Sequence, residues 1–227
     1  NRASAVGELL ADAIRHDGDL DRALAQFSED CAYEDRRRLS GEPIIGLTAR
    51  RAALERILRQ FPRLDMVPLA VRGDRLVLER CCRSDDAGNE STVLVLGEID
   101  DDDRLICYIS FGEDDFDSAC LELERRYYAG EGAAFAGAGA KLTDFVAALN
   151  RGGLDAAFAL LNNPDLRIQT RSRSVFPERT TAELREDLDE LVSMVSSVRW
   201  WHSAVCWLSP NCCVVRQERE ATGPDGA

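Results

Sequence analysis

The sequence predicts an α+β fold, helices packed on a sheet of antiparallel neighbours, and it predicts that arrangement twice. Two observations carry this. Apolar residues recur at helical spacing as far as Phe61, then at strand spacing from Met66 onward with short turn signals between. Three apolar segments also return at offsets of 134 to 136 positions, which reads as a tandem duplication.

Val6, Leu9, Leu10, Ala13 and Ile14 form the apolar stripe of a first helix. Gly18 is a natural stop for it, and Asp19 is suited to cap a second short helix through Leu20, Ala23, Leu24 and Phe27. Cys31 to Arg36 reads as a strand, and the stretch containing Gly41, Pro43 and Gly46 as a loop. Thr48 is the expected N-cap of a third helix, buried through Ala52, Leu54, Ile57, Leu58 and Phe61, with its arginines outside. Strand-like runs follow at Met66–Val71, Leu76–Cys82, Ser91–Ile99 and Leu105–Phe111. Connections this short imply antiparallel pairing. A helix from about Asp115 to Tyr128 closes the unit through Phe116, Ala119, Cys120, Leu123 and Tyr127.

The expected organisation is a complete domain over 1–130, a Gly/Ala-rich linker over 131–139, and a second, C-terminally incomplete domain over 140–227. Leu142, Phe145, Val146 and Leu149 repeat the first stripe, and Leu154, Ala157, Phe158 and Leu161 the second. Leu188, Leu191, Val192 and Val195 repeat the third-helix spacing. Strands are expected near Arg199–Leu208 and Cys212–Glu220. Nothing answers to Ser91–Tyr128 of the first copy. With no initiator Met, the chain is expected to be part of a longer protein.

A formal charge of -13 argues against nucleic acid, which needs clustered Lys and Arg. No apolar run reaches the roughly 20 residues that a membrane helix requires, and a cytoplasmic location is expected. The eight cysteines form no metal-ligand pattern and are expected to be reduced, buried small hydrophobes. Asp100–Asp103 lacks the spacing of a calcium loop and reads as a hairpin turn, so no metal is assigned.

The order helix, helix, strand, helix, four antiparallel strands resembles the nuclear transport factor 2-like superfamily, and most of all its ketosteroid isomerase and SnoaL-like branch. The residues that carry the resemblance are Gly18–Asp21, Phe27–Asp35 and Phe111–Glu113, with Phe145–Asp155 in the second copy. The resemblance implies a cone-shaped curved sheet wrapped around helices and enclosing a pocket. It also implies that Asp35 stands at the family's catalytic base. Ala11 and approximately Val95 stand where the family keeps its oxyanion donors, and the second copy has Phe145 and Gln169 or Thr170 at the tyrosine and base positions. Neither copy carries the isomerase set.

Asp35 has a second reading, an ion pair with Arg36, Arg37 or Arg38. Arg171 and Arg173 recur at the matching place in the second copy. The cyclase branch uses an aspartate–histidine arrangement. Of the two histidines, His16 suits a helix C-terminus, while His202 shares a strand face with Trp200. Tyr33, Trp200 and His202 are the candidate pocket residues. The expectation is a non-catalytic ligand-binding or regulatory module taking a small apolar molecule, without cofactor. Attached regulator or cyclase domains, and pairing of the two copies or a homodimer, are the further partners it implies. The alternatives are an isomerase, cyclase or dehydratase using Asp35 as general base, and an oligomerisation module whose pocket is filled by side chains.

Overall fold

The computed structural model describes residues 1–37, 42–161, 166–169, 178–209 and 212–223, with the side chains of 16, 17 and 152 outside the description. The chain divides into two compact units, Asn1–Ala134 and Phe135–Ala227.

In the first unit, α1 (Arg2–Asp17) begins in a capping box: the Asn1 side chain accepts from Ser4 N. The same side chain donates to the carbonyls of Gly73 and Leu76, fixing the helix start against a strand turn. Gly18 ends α1 at φ 56°, in the left-handed conformation that glycine adopts without penalty. Asp19 caps α2 (Leu20–Leu24), accepting from Arg22 N. The meander β3 (Arg63–Arg72), β4 (Leu76–Ser84), β5 (Glu90–Ile99) and β6 (Leu105–Gly112) follows the predicted runs, every neighbour antiparallel. The Asp100–Asp103 turn closes on itself, Asp100 Oδ1 accepting from the backbone of Asp102 and Arg104.

Several details differ from expectation. Strand β1 (Phe27–Asp35) begins at Phe27, not at Cys31, and runs parallel to β6. A two-residue β2 (Ile44–Ile45) pairs with it inside the expected loop. The cap of α3 (Leu47–Gln60) is Gly46 rather than Thr48. Leu9 is 46% exposed, the stripe of α1 having turned toward Ala3, Val6, Leu10 and Ala13. Ala52 is exposed, whereas Arg50, assigned to an outer face, is buried. The cysteines are all free, but only Cys31 and Cys81 are buried; strand alternation turns Cys82 outward beside Cys81, whereas Cys206, Cys212 and Cys213 are all exposed.

The strand order β2-β1-β6-β5-β4-β3 gives the sheet two covered faces. Helix α1 packs on β3, β4 and β5, and α3 on β1. On the opposite face, α4 (Phe116–Ala129) packs on β4, β5 and β6. Cross-strand partners share a face, so the registers define inner rows under α1–α3. One row is Tyr33, Tyr108, Gly97 and Val77; the next is Asp35, Ser110, Val95 and Glu79. Cys81 and Arg83 continue the inner side of β4. The main apolar core lies on this side, joining Val6, Leu10, Leu24, Phe27, Tyr33, Leu54, Val77, Val95 and Tyr108. This is an α+β unit built on a sheet with helices beneath it, as the sequence implies.

In the second unit, α5 (Ala136–Leu160) is interrupted at Gly153, φ 74°. It takes in Ala136–Gly139, expected as linker. Helix α6 (Thr181–Ser193) starts in a Thr180–Glu183 capping box, and β7 (Ser197–Leu208) pairs antiparallel with β8 (Cys213–Thr222). Its core joins Leu149, Ala157 and Trp200, with Phe145, Leu154, Leu188 and Leu191 packed around them. Among the described residues, no helix is long and apolar enough to cross a membrane.

Candidate functional site

Asp35 and Tyr33 lie on β1 of the first unit, Trp200 and His202 on β7 of the second.

Asp35 is held by the side chain two residues on. Arg37 Nε donates to its Oδ1 at 2.8 Å and the Arg37 backbone N–H to the same oxygen at 3.1 Å, while Arg37 Nη2 meets Oδ2. Burial pushes the carboxyl up, but the hydrogen bonds from Arg37 and the charges of Arg37 and Arg83 outweigh it, leaving it below the ordinary aspartate value. Arg36 turns instead to Glu34, at 2.8 Å, and to Glu122. Arg38, Thr170, Arg171 and Arg173 lie outside the described residues, as does the side chain of His16. Gln169 Nε2 donates to Glu178 at 2.9 Å.

Tyr33 belongs to a cluster that sequence reasoning missed. The guanidinium carbon of Arg50 lies 4.4 Å from the Tyr33 ring centre, 4.6 Å from Tyr108 and 4.9 Å from Phe27. Arg50 is 4% exposed, and its Nε and Nη1 have no acceptor among the described residues. Burial disfavours its charge and lowers its pKa. Arg83 is 8% exposed, with Nε likewise without an acceptor, and the buried Ser110 Oγ has no partner among the described residues. Glu79, 3% exposed, lies against the backbone of α1: a Cβ on Gly7 would stand 2.5 Å from its Oε1. Burial alone pushes the Glu79 carboxyl up to about 8, so at neutral pH it carries a proton. Burial also pushes the Cys31 thiol up to about 11, with Arg50 pulling the other way.

The chemistry of this inner face follows from those states. Two guanidinium groups, a neutral carboxylic acid and a hydroxyl are all hydrogen-bond donors. The ionised carboxylate nearby, Asp35, is already engaged by Arg37. Asp35 and Glu79 stand three strands apart in one row, about 14 Å measured along the sheet. They are too distant to share a proton as a dyad. Such a face is furnished to hold an acceptor more than to abstract a proton.

The signals for these residues were present but weak. Arg50 sits three residues after Leu47 and four before Leu54, on the apolar stripe of α3, and Glu79 and Arg83 alternate with Val77 and Cys81. In the second unit, Trp200 is 3% and His202 7% exposed. The Asn150 side chain clamps Trp200, donating to its carbonyl and accepting from its N–H, both at 2.9 Å. Arg219 lies 5.7 Å from the Trp200 ring centre. The described residues contain no cluster of His, Cys, Asp or Glu arranged to hold a metal ion.

No protein-family model and no curated relative matches the chain. Solved structures do match. One is a ketosteroid isomerase from a Mycobacterium species, 15% identical, covering 50% of this chain and 95% of its own, with a TM-score of 0.42. Another is a putative SnoaL-like polyketide cyclase from Jannaschia, 20% identical, covering 48% and 84%, with a TM-score of 0.39. A third is a nuclear transport factor 2-like protein from Burkholderia pseudomallei, 15% identical, covering 50% and 92%, with a TM-score of 0.39. At these identities the likeness concerns the path of the chain and not its chemistry.

Proposed function

We propose that the first unit, with the element order of the nuclear transport factor 2-like cone, is a small-molecule-binding module without catalysis of its own. The observation that carries this is the inner face under α1–α3, where Arg50, Arg83 and Ser110 are buried with polar atoms unpartnered. A module that only assembles would fill this side with apolar groups, since each buried polar atom left unpaired costs about 1–3 kcal/mol. Their retention fits a ligand that completes them. Catalysis by Asp35 fits less well, because a general base works best with a pKa near the operating pH and Asp35 is driven the other way.

We read the second unit as a partial copy of the first. The interruption at Gly153 answers to Gly18, α6 to α3, and the β7–β8 hairpin to β3–β4, all at similar offsets.

Native mass spectrometry of protein purified from its own host tests the binding module. A retained small molecule supports it. No retained species, and no thermal shift across a panel of hydrophobic metabolites, would count against it. The enzyme reading gains if Asp35→Asn abolishes turnover of a ketosteroid or polyketide substrate that the wild type converts.

A further inference from the structure

We propose that the inner face of the first unit, under α1–α3, is an anion site, taking a small planar organic acid whose carboxylate pairs with Arg50 and Arg83. This rests on the binding-module reading above and specifies its ligand class. The argument begins with charge. A guanidinium at 4% exposure ordinarily has a carboxylate beside it, because an unpaired buried charge is strongly destabilising. Arg50 has none. After burial itself, the strongest influences on it are two phenols and a thiol, Tyr108, Tyr33 and Cys31, together with a second cation, Arg83. Burial holds the Tyr108 phenol and the Cys31 thiol in their neutral forms. Asp35, the nearest ionised carboxylate along the row, is occupied by Arg37, and Glu79 is protonated.

Three aromatic rings around Arg50 offset part of this cost through cation–π attraction. A ring face attracts the cation as a whole but offers its N–H groups little, and Nε and Nη1 lack acceptors. A carboxylate supplies what is missing: one negative charge and an acceptor oxygen for an unpaired guanidinium N–H. The Ser110 hydroxyl and the protonated Glu79 are further donors on the same face. The remaining surroundings are Phe27, Leu54, Val77, Val95 and the two tyrosines. They suit a flat apolar body and would not rehydrate a phosphate, so an organic acid fits where an inorganic anion does not.

The test compares 2-naphthoate with its neutral isostere 2-naphthamide and with inorganic phosphate, by calorimetry and thermal shift on the full chain. The acid is expected to bind at least about tenfold tighter than the amide. Arg50→Met and Arg83→Met should each erase that preference, acid binding falling at least about tenfold toward the level of the amide. Circular dichroism establishes that the variants fold, and the acid–amide comparison on wild type stands if they do not. Equal binding of acid and amide would overturn the anion site while leaving the binding module intact. Phosphate binding as tightly as naphthoate would overturn the organic-acid class. Binding of none of the three would count against both.

Discussion

Arg50 is where residue type and residue position disagree most. Arginine on a helix is normally solvated, yet this one is enclosed by Phe27, Tyr33 and Tyr108 with two nitrogens unpaired. Met of similar length would forfeit the cation–π attraction but remove the buried charge and its unpaired donors. We therefore expect Arg50→Met to stabilise the ligand-free protein by about 1 kcal/mol in urea denaturation. Glu79 gives a pH signature. Its carboxyl rises from 4.5 to about 8 on folding. Below pH 4.5 both folded and unfolded chains hold the proton and its contribution is intact. Between there and pH 8 only the folded chain holds it, so stability falls by about 1.4 kcal/mol per pH unit and levels off above. Glu122, held down to about 2 chiefly by Arg125, acts only below this window. Glu79→Gln should flatten the slope between pH 5.5 and 7.5; an unchanged slope would mean that Glu79 is ionised in the fold. Little of this was legible in sequence: Arg50 and Glu79 keep the spacing of their apolar neighbours, but burial of a charge depends on which face of α3 or β4 meets the core.

At the scale of elements, local chemistry was far more readable. Gly18 ended α1 and Asp19 began α2 as their residue types require, and the β3–β6 meander followed its turn signals. Nothing lies within 4 Å of a Cβ built on Gly18. Gly18→Ala should thus cost only its backbone strain, about 1 kcal/mol, with no loss of packing. Asn150→Ala is expected to cost more, about 3 kcal/mol, since it leaves both backbone groups of a buried Trp200 unpaired. A lower melting temperature with red-shifted tryptophan emission would report it. The parallel pairing of β1 with β6 and the small β2 were invisible in sequence. Both join segments separated along the chain, and neither leaves a local periodicity to read.

For the whole molecule, the first unit keeps its core within its own elements, from α1 through β6. Residues 1–134 expressed alone should therefore unfold in one cooperative transition with native-like circular dichroism; a broad, non-cooperative transition would refute that independence. By itself the sequence determined the α+β class, the helix breaks, the hairpin meander and the positions of Asp35 and Tyr33 on one strand. Those depend on interactions between near neighbours in the chain. Only the tertiary structure decided that Arg37 takes up Asp35, and that Arg50, Glu79, Arg83 and Ser110 meet on one inner face. Their environment is made by strands and helices far apart in sequence, and it is that environment, through lost solvation, which sets their charge and their partners.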